Sequence, residues 1–378
     1  MNLAIWHNIL WSPYKAGVFT ALANLMAARE ARLMVFQICE TDSQRDKLSG
    51  VNYAIHRYPY DLLFSDSRDR VASPALWARV LARTIANPAD VTIISGLDRV
   101  EYWLQAIYLA AAGRKRAVFY DSTADDRTTG ALKGMAKRLF FKLVPFTLSY
   151  GQRARAYAIA QGVAPERAFI RCQAAYLPAD YDAEAVVRDR TANAATVAGP
   201  IFLYVGRLAI EKNLRLLFAA FDRFAEGHPE ARLRLVGDGP KSEILRALAS
   251  TLLHGDRIEF LGPRSGPELA KEYLAASALV LPSASEPWGL VVNEALHHGC
   301  PVIVSDRCGC VPELVEDSPC GAVFAYGDVA DLVRVMGRAL DWSARPGEVA
   351  RQCLDRIAPY TPEAAAQQTL DAAAAISR

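Results

Sequence analysis

The sequence predicts an α/β protein built from two parallel sheets, one in each half of the chain. Three observations predict it. Short apolar runs alternate with longer amphipathic stretches from end to end, the pattern of strands joined by crossover helices. The apolar runs are continuous rather than alternating, as befits strands covered on both faces. At 378 residues the chain is long for a single core, so two domains are expected.

In the first half, residues 3–6 (LAIW), 31–38 (ARLMVFQI), 91–95 (VTIIS) and 117–120 (AVFY) read as buried strands, with amphipathic stretches at 18–29 and 76–85. In the second half the strands are 201–206 (IFLYVG), 233–237 (LRLVG), 257–262 (RIEFLG), 278–283 (ALVLPS) and 301–305 (PVIVS). Helical patterns cover 214–226, 241–253, 267–276, 289–298 and 329–340. Residues 183–199 are small and polar, without sheet-like periodicity, and mark the expected boundary. This gives domains at 1–185 and 199–358. The alanine-rich stretch after Pro359 reads as a helix detached from the second sheet.

Composition excludes several classes. Hydrophobic residues make up 52% and charged residues 22%, which argues against disorder; a net charge of +2 says little about partners, and no nucleic acid is expected among them. The seven cysteines form no CxxC pair. Cys300, Cys308, Cys310 and Cys320 lie close in sequence, but no matching histidine or second thiolate pair completes a tetrahedral set, so no metal site is expected. Free thiols suit a reducing cytoplasm. The N-terminus lacks the basic and apolar regions of a signal peptide, and no apolar run is long enough to span a bilayer.

Ligands of parallel sheets bind outside the carboxyl ends of the strands, so chemistry is sought in those loops. The loop 206–213 (GRLAIEKN) places Arg207 and Lys212 beside Gly206, where a phosphate can approach the backbone. The same cations fit solvated charges flanking a helix. A second loop and helix, 283–301, carries Glu286 ahead of Trp288-Gly289-Leu290 and Glu294 beyond it. The helix start favours an anion such as a phosphate. Eight positions on an ideal helix separate the two glutamates by roughly 12 Å. That is wider than the roughly 5–9.5 Å of a glycosidase carboxyl pair, and it suits opposite ends of a longer molecule. A capping Glu286 and a solvated Glu294 are the alternative.

Taken together, GRL with Glu211-Lys212, LRLVGDGP (233–240), IEFLGP (258–263) and EPWGLVVNEALHHGCPVIVSD (286–306) resemble glycosyltransferase family 4. The resemblance is strong over about 200–330; the first half is similar in layout, plus residues 151–170. It implies a GT-B fold, two Rossmann-like domains whose parallel sheets face each other across a cleft. It also implies a terminal helix, 359–378, crossing back to the first domain. The implied activity is metal-independent hexosyl transfer, with retention, from a nucleoside diphosphate sugar to a hydroxyl acceptor. Arg207 and Lys212 match the pair that binds the pyrophosphate, and Glu294 the glutamate that holds the ribose. Glu286 matches the one near the donor sugar, and Trp288, Gly289 and Leu290 the turn that contacts sugar and phosphate. Gly206, Gly237 and the 262–265 loop with Arg264 complete the donor side. No cofactor is implied.

The first domain departs from the family. Its glycine-rich loop is reduced to Gly17, and none of the histidines at 7, 56, 228, 254, 297 and 298 falls where an acceptor-side histidine is common. Asp98 and Asp121 are the candidates to orient or deprotonate the acceptor, against a helix-capping role for Asp121. The segment 132–142 is a further expectation. Leu132, Met135, Ala136 and Leu139 recur at helical spacing beside Lys133, Lys137 and Lys142, and an exposed Phe140 or Phe141 would let the helix dock on an anionic membrane. The alternative is a solvated helix whose apolar stripe faces the sheet. The expected acceptor is a lipid-linked or polysaccharide glycan, met in the cytoplasm or on the inner face of its membrane. A sugar-nucleotide epimerase and a catalytically silent sugar-nucleotide-binding protein are the competing readings.

Overall fold

The computed structural model describes residues 1–43, 50–125, 131–194 and 198–378, with the side chains of 131 and 132 outside the description. The chain forms two compact units.

The first unit carries strands β1 (Asn2–Ile9), β2 (Arg32–Thr41), β3 (Tyr60–Ser67), β4 (Val91–Ile94), β5 (Lys115–Tyr120), β6 (Phe146–Tyr150) and β7 (Ala168–Arg171). They pair in parallel in the order β3-β2-β1-β4-β5-β6-β7. Its crossover helices are α1 (Pro13–Ala27), α2 (Ser73–Ala86), α3 (Val100–Ala111), α4 (Ala131–Leu143) and α5 (Gly151–Ala160). The second unit opens with α6 (Ala183–Ala194). Its strands are β8 (Ile201–Val205), β9 (Arg232–Val236), β10 (Ile258–Gly262), β11 (Ala278–Leu281), β12 (Val302–Ser305) and β13 (Gly321–Phe324). These also run parallel, in the order β10-β9-β8-β11-β12-β13. Helices α7 (Leu214–Gly227), α8 (Ser242–Ala249), α9 (Gly266–Ala275), α10 (Leu290–His297), α11 (Val329–Met336), α12 (Arg338–Ala344) and α13 (Pro346–Ile357) complete it. Helix α14 (Pro362–Ser377) belongs to the first unit, which takes up the chain again from Tyr360.

The strands form because their sequences exclude polar side chains on both faces. Every residue of β4, β8, β11 and β12 is buried, so helices cover each sheet on both sides. Both sheets reverse direction of growth beside their first strand, β1 against β4 and β8 against β11. At such a point the loops leaving the two neighbouring strands diverge and leave a crevice, which places the candidate site of the second unit at the ends of β8 and β11.

Two sequence expectations change. Residues 183–199 are not the boundary, because the units divide at Tyr176 and Leu177, and α6 packs into the second unit. Val186 and Val187 are buried, and Arg190 donates through Nη1 to the carbonyls of Tyr273 and Leu274 at 3.0 and 3.2 Å and to that of Ala276. One long cation thus satisfies the orphan carbonyls at the end of α9, which explains why so polar a segment is ordered against the core. Gly17 is not a loop residue either. It lies within α1, where a Cβ would touch Pro362 of α14 at 3.5 Å. Thr361 caps α14 by accepting from the amide of Ala364 at 3.1 Å, and the buried Ala365, Ala366, Ala372 and Ala373 let the helix approach closely.

Candidate functional site

In the second unit, β8 ends at Val205, Gly206 follows it, and a single 3-10 turn, Ile210–Lys212, precedes α7. The Tyr204 hydroxyl donates to the carbonyl of Arg207 at 2.8 Å, and the amide of Ala284 donates to the carbonyl of Glu211 at 2.8 Å. These bonds tie the loop after β8 to the loop after β11. Gly237, at the end of β9, donates its amide to Gly262 at 2.9 Å and has φ +131°. A Cβ there would come within 2.0 Å of the Gly206 carbonyl, so only glycine lets the two strand ends lie together.

The charges are interlocked. Arg207 is paired with Glu211, and Lys212 donates to the Glu286 carboxylate, which also accepts from Ser283 Oγ at 3.4 Å. Lys212 and Glu286 are 18% and 14% exposed and Arg207 is 43% exposed, so the pair lies half-withdrawn from water while the guanidinium reaches it. Glu286 forms a parallel bridge with Cys308, and its carbonyl accepts from the amide of Gly309 at 2.8 Å. The backbone then turns through Gly289 at φ +96°, a left-handed conformation that suits glycine, into α10. Trp288 is buried and donates through Nε1 to Asn293 Oδ1 at 2.8 Å, which fixes the entry to the helix. The first backbone N–H groups of α10 have no partner within the helix and carry its positive end.

Glu286 therefore stands outside α10, and the ideal-helix separation of the two glutamates does not apply. Their surroundings differ instead. Glu294, on α10, accepts from the Tyr273 hydroxyl at 2.8 Å. Burial raises its carboxyl above the usual range, and the tyrosine hydrogen bond works against that rise. Tyr273 is buried, stacks on His298 at 5.2 Å, and has its own phenol pushed up by burial and then by the Glu294 charge. A buried carboxylate with a single hydroxyl partner keeps acceptor capacity for further hydroxyl groups.

The structure thus brings Gly206, Arg207, Lys212 and Glu286 together at the ends of β8 and β11, with Gly289, Leu290 and Glu294 on the helix that follows. Gly237 stands beside them at the end of β9. Arg264 lies on the loop after the edge strand β10, exposed and paired with Glu268 at 3.3 Å. Tyr273 and Glu211 escaped notice as site residues. Glu211 stood within the quoted motif, whereas a tyrosine on α9 gives no signal until the fold brings it to Glu294.

The first unit holds the remaining candidates. Asp98 is 73% exposed and lies 3.8 Å from Arg99, its own neighbour. Asp121 follows β5 and is exposed. His7 is buried, with Nδ1 on Gln37 Oε1 at 3.0 Å and the ring edge-on to Phe19 at 5.5 Å. Burial, then the charge of Lys15, lowers its pKa to about 3. On α4, Phe140 and Phe141 are buried in the core, Phe140 against Trp103 at 5.1 Å, which corrects the expectation that one of them is exposed. The exposed apolar residues of that helix are Met135 and Leu139, at 64% and 54%, so they do not face the sheet either. Leu132 lies outside the described side chains. All seven cysteines are free and buried, and among the described residues no cluster of metal-ligating side chains occurs.

Comparison with known proteins agrees with this geometry. Residues 188–352 match the family model of glycosyl transferases group 1. That span holds every candidate of the second unit. The chain is 38% identical over 137 residues to the sulfoquinovosyl transferase SQD2 of Arabidopsis thaliana, which covers 35% of this chain and 25% of that protein. It is 35% identical over 157 residues to a glycogen synthase of Mycobacterium tuberculosis, covering 41% and 37%. The chain thus spans well under half the length of these curated relatives. Among solved structures, Anabaena HepE in complex with UDP and glucose superposes with a TM-score of 0.71 at 17% identity, over 99% of this chain and 100% of that one. The apo lipopolysaccharide outer core galactosyltransferase WaaB superposes with a TM-score of 0.68 at 18% identity, over 98% and 99%. The fold is GT-B, two Rossmann-like α/β units with parallel sheets.

Proposed function

We propose that the chain is a glycosyltransferase that moves a hexosyl group from a nucleoside diphosphate sugar to a hydroxyl acceptor, with retention at the anomeric carbon. The observation that carries this is the pair of cations, Arg207 and Lys212, on the loop after β8, with Lys212 tied to Glu286 on the loop between β11 and α10. Two fixed cations and a helix N-terminus supply the stabilisation of a departing diphosphate that a divalent ion would otherwise give. Glu294 takes the ribose hydroxyls and Glu286 the sugar side, where it also holds Lys212. Gly237 and Arg264 border the base, and Trp288, Gly289 and Leu290 present the turn against sugar and phosphate. The bond from the anomeric carbon to the diphosphate breaks while the acceptor oxygen bonds on the same face, and the acceptor proton passes to the leaving phosphate oxygen. Asp121 orients the acceptor. The complex of HepE with UDP and glucose supports a donor of this class.

Incubation with a panel of sugar nucleotides tests the proposal. Transfer, or slow donor hydrolysis, that survives EDTA is the expected result. Epimerised nucleotide would make the chain an epimerase, and binding without turnover a silent binding protein.

The acceptor in this reading is a lipid-linked or polysaccharide glycan met at an anionic membrane surface. The support is α4, where Met135 and Leu139 stand exposed among Lys133, Lys137, Arg138 and Lys142. Among the described residues no helix is long and apolar enough to cross a membrane. Co-sedimentation with anionic vesicles at low salt, weakened by Met135→Ser with Leu139→Ser, checks it; no pelleting rejects it.

A further inference from the structure

The carboxyl ends of β5, β6 and β7 meet at one corner of the first unit, and the chemistry there is unbalanced. Tyr150, the last residue of β6, pairs across the ladder with Arg171, the last residue of β7. Phe119 of β5 shares their face, because Leu148 pairs with Phe119 and side chains alternate along a strand. Lys15, in the first turn of α1, completes the group and donates to the Tyr150 hydroxyl. Its ammonium lies 5.5 Å from the Phe119 ring and 4.3 Å from that of Tyr150; the Arg171 guanidinium lies 5.3 and 5.0 Å from the same two rings. Two cations therefore share one aromatic box.

Both are buried, Lys15 at 4% and Arg171 at 1% exposure. Among the described residues neither forms an ion pair. None of Nε, Nη1 and Nη2 of Arg171 has a partner at full hydrogen-bonding geometry; its nearest polar contact is the Tyr150 hydroxyl, close enough for a loose hydrogen bond as well as a charge effect. The polar groups beyond them add no negative charge: His7, Gln37, Tyr58 and His56 run in a hydrogen-bonded chain of neutral side chains. The one carboxylate that acts on Lys15 is that of Asp121, which follows β5 and is exposed. Burial holds the Lys15 ammonium well below its ordinary range, with the Arg171 charge adding to the fall and Asp121 opposing it. A guanidinium whose donors have at most one neutral hydroxyl to meet, buried near a lysine, is costly unless something anionic joins it. Lysine in the first turn of a helix is also the wrong sign for the helix dipole, so its position serves neither α1 nor packing alone.

We propose that this corner is a built oxyanion site, in which Lys15, the Tyr150 hydroxyl and Arg171 take a phosphate or carboxylate group. A forked guanidinium beside a point ammonium matches the several oxygens of such a group. The neighbours of this corner that reach solvent are Asp121 and the half-buried Tyr14, whose ring lies 5.2 Å from the ammonium. On the glycosyl-transfer reading, on which this last step rests, the anionic group is carried by the acceptor.

The test uses the full chain carrying Arg207→Ala and Lys212→Ala, so that the cations of the second unit contribute nothing. Thermal unfolding is followed with inorganic phosphate, with sodium acetate, and with KCl at matched ionic strength. A Tm rise of about 2–4 °C over KCl is expected once either anion stands about tenfold above its Kd, and which anion acts separates the phosphate from the carboxylate source. In that background Arg171→Met and Lys15→Met should leave the KCl Tm equal or higher and lose the anion shift; cations that only pack would lower the Tm and never respond. No shift with either anion, or a shift undiminished in both methionine variants, overturns the site. Should a methionine variant fail to fold, Arg171→Lys decides, since it must weaken the shift at an unchanged KCl Tm, and an unchanged shift again overturns the site. Binding is read without donor or turnover, so an anion response in a parent chain that transfers no sugar supports the site while overturning the transfer reading.

Discussion

Replacing Lys212 by methionine perturbs the charge arrangement of the second unit most informatively, because its partner Glu286 stays behind. Fully buried ion pairs lose about 3–5 kcal/mol when one partner is removed, and exposed pairs about 0–1 kcal/mol. At 18% and 14% exposure the Lys212–Glu286 pair falls between, and the remaining support for Glu286 is Ser283 Oγ at 3.4 Å. A loss of about 1–3 kcal/mol in unfolding free energy follows for Lys212→Met. Glu286→Gln in the same background should restore part of it, with a coupling energy of about 1 kcal/mol or more across the double-mutant cycle. Binding should move differently. A charge-assisted hydrogen bond contributes about 1.5–3 kcal/mol, so Lys212→Met should weaken a nucleoside diphosphate by about 10- to 150-fold. Glu286→Gln releases Lys212 and removes a carboxylate from beside the phosphates, so it should tighten the bare diphosphate while slowing transfer. Urea unfolding and calorimetric titration of the four proteins measure both quantities. Additive stability changes, together with an unmoved diphosphate affinity, would refute the reasoning.

Three further outcomes are expected. Glu294→Gln should raise the Tm at neutral pH and weaken donor binding, because the native carboxyl is raised by burial. The sign is fixed by linkage: the carboxylate's destabilisation grows as pH rises from the unfolded pKa through the raised folded one, so the variant should flatten that part of the pH–stability curve. His7, held near 3, binds its proton only in the unfolded chain over the interval from 6.5 down to 3, so stability is lost as pH falls through it. About 2–3 kcal/mol of that loss should be present at pH 4.5, and His7→Asn should remove it when urea midpoints at pH 7 and pH 4.5 are compared. Gly237→Ala places a Cβ 2.0 Å from the Gly206 carbonyl at φ +131°, which should cost at least about 2 kcal/mol and distort the Arg207 loop. Unchanged stability and nucleotide affinity in that variant would show the contact to be absent.

The central strands of both sheets were legible because a strand covered on both faces must be apolar throughout, as β4, β8, β11 and β12 are. Edge strands have one neighbour and keep polar residues, so β3 (YDLLFSDS) and β7 (AFIR) carry no such run. Strand β6 is internal yet hides its nature, since Thr147 and Ser149 are buried with their hydroxyls 3.5 Å apart. The second-unit site was legible because its residues cluster in two loops at adjacent strand ends. The corner of Lys15, Tyr150 and Arg171 was not: Lys15 lies more than a hundred residues before the other two, and the three meet only once three strands and a helix are assembled. Arg190 misled for a related reason, because a lone arginine in a polar stretch gives no sign that it will bridge three carbonyls.

Titration of the unmodified chain with a panel of nucleoside diphosphates, repeated on Arg207→Ala with Lys212→Ala, measures the claim on which the functional account depends. Saturable binding of at least one diphosphate by the unmodified chain is expected, weakened by about a hundredfold or more in the double variant, at about two charge-assisted hydrogen bonds removed. Binding of none of them, or equal binding by both proteins, would contradict it.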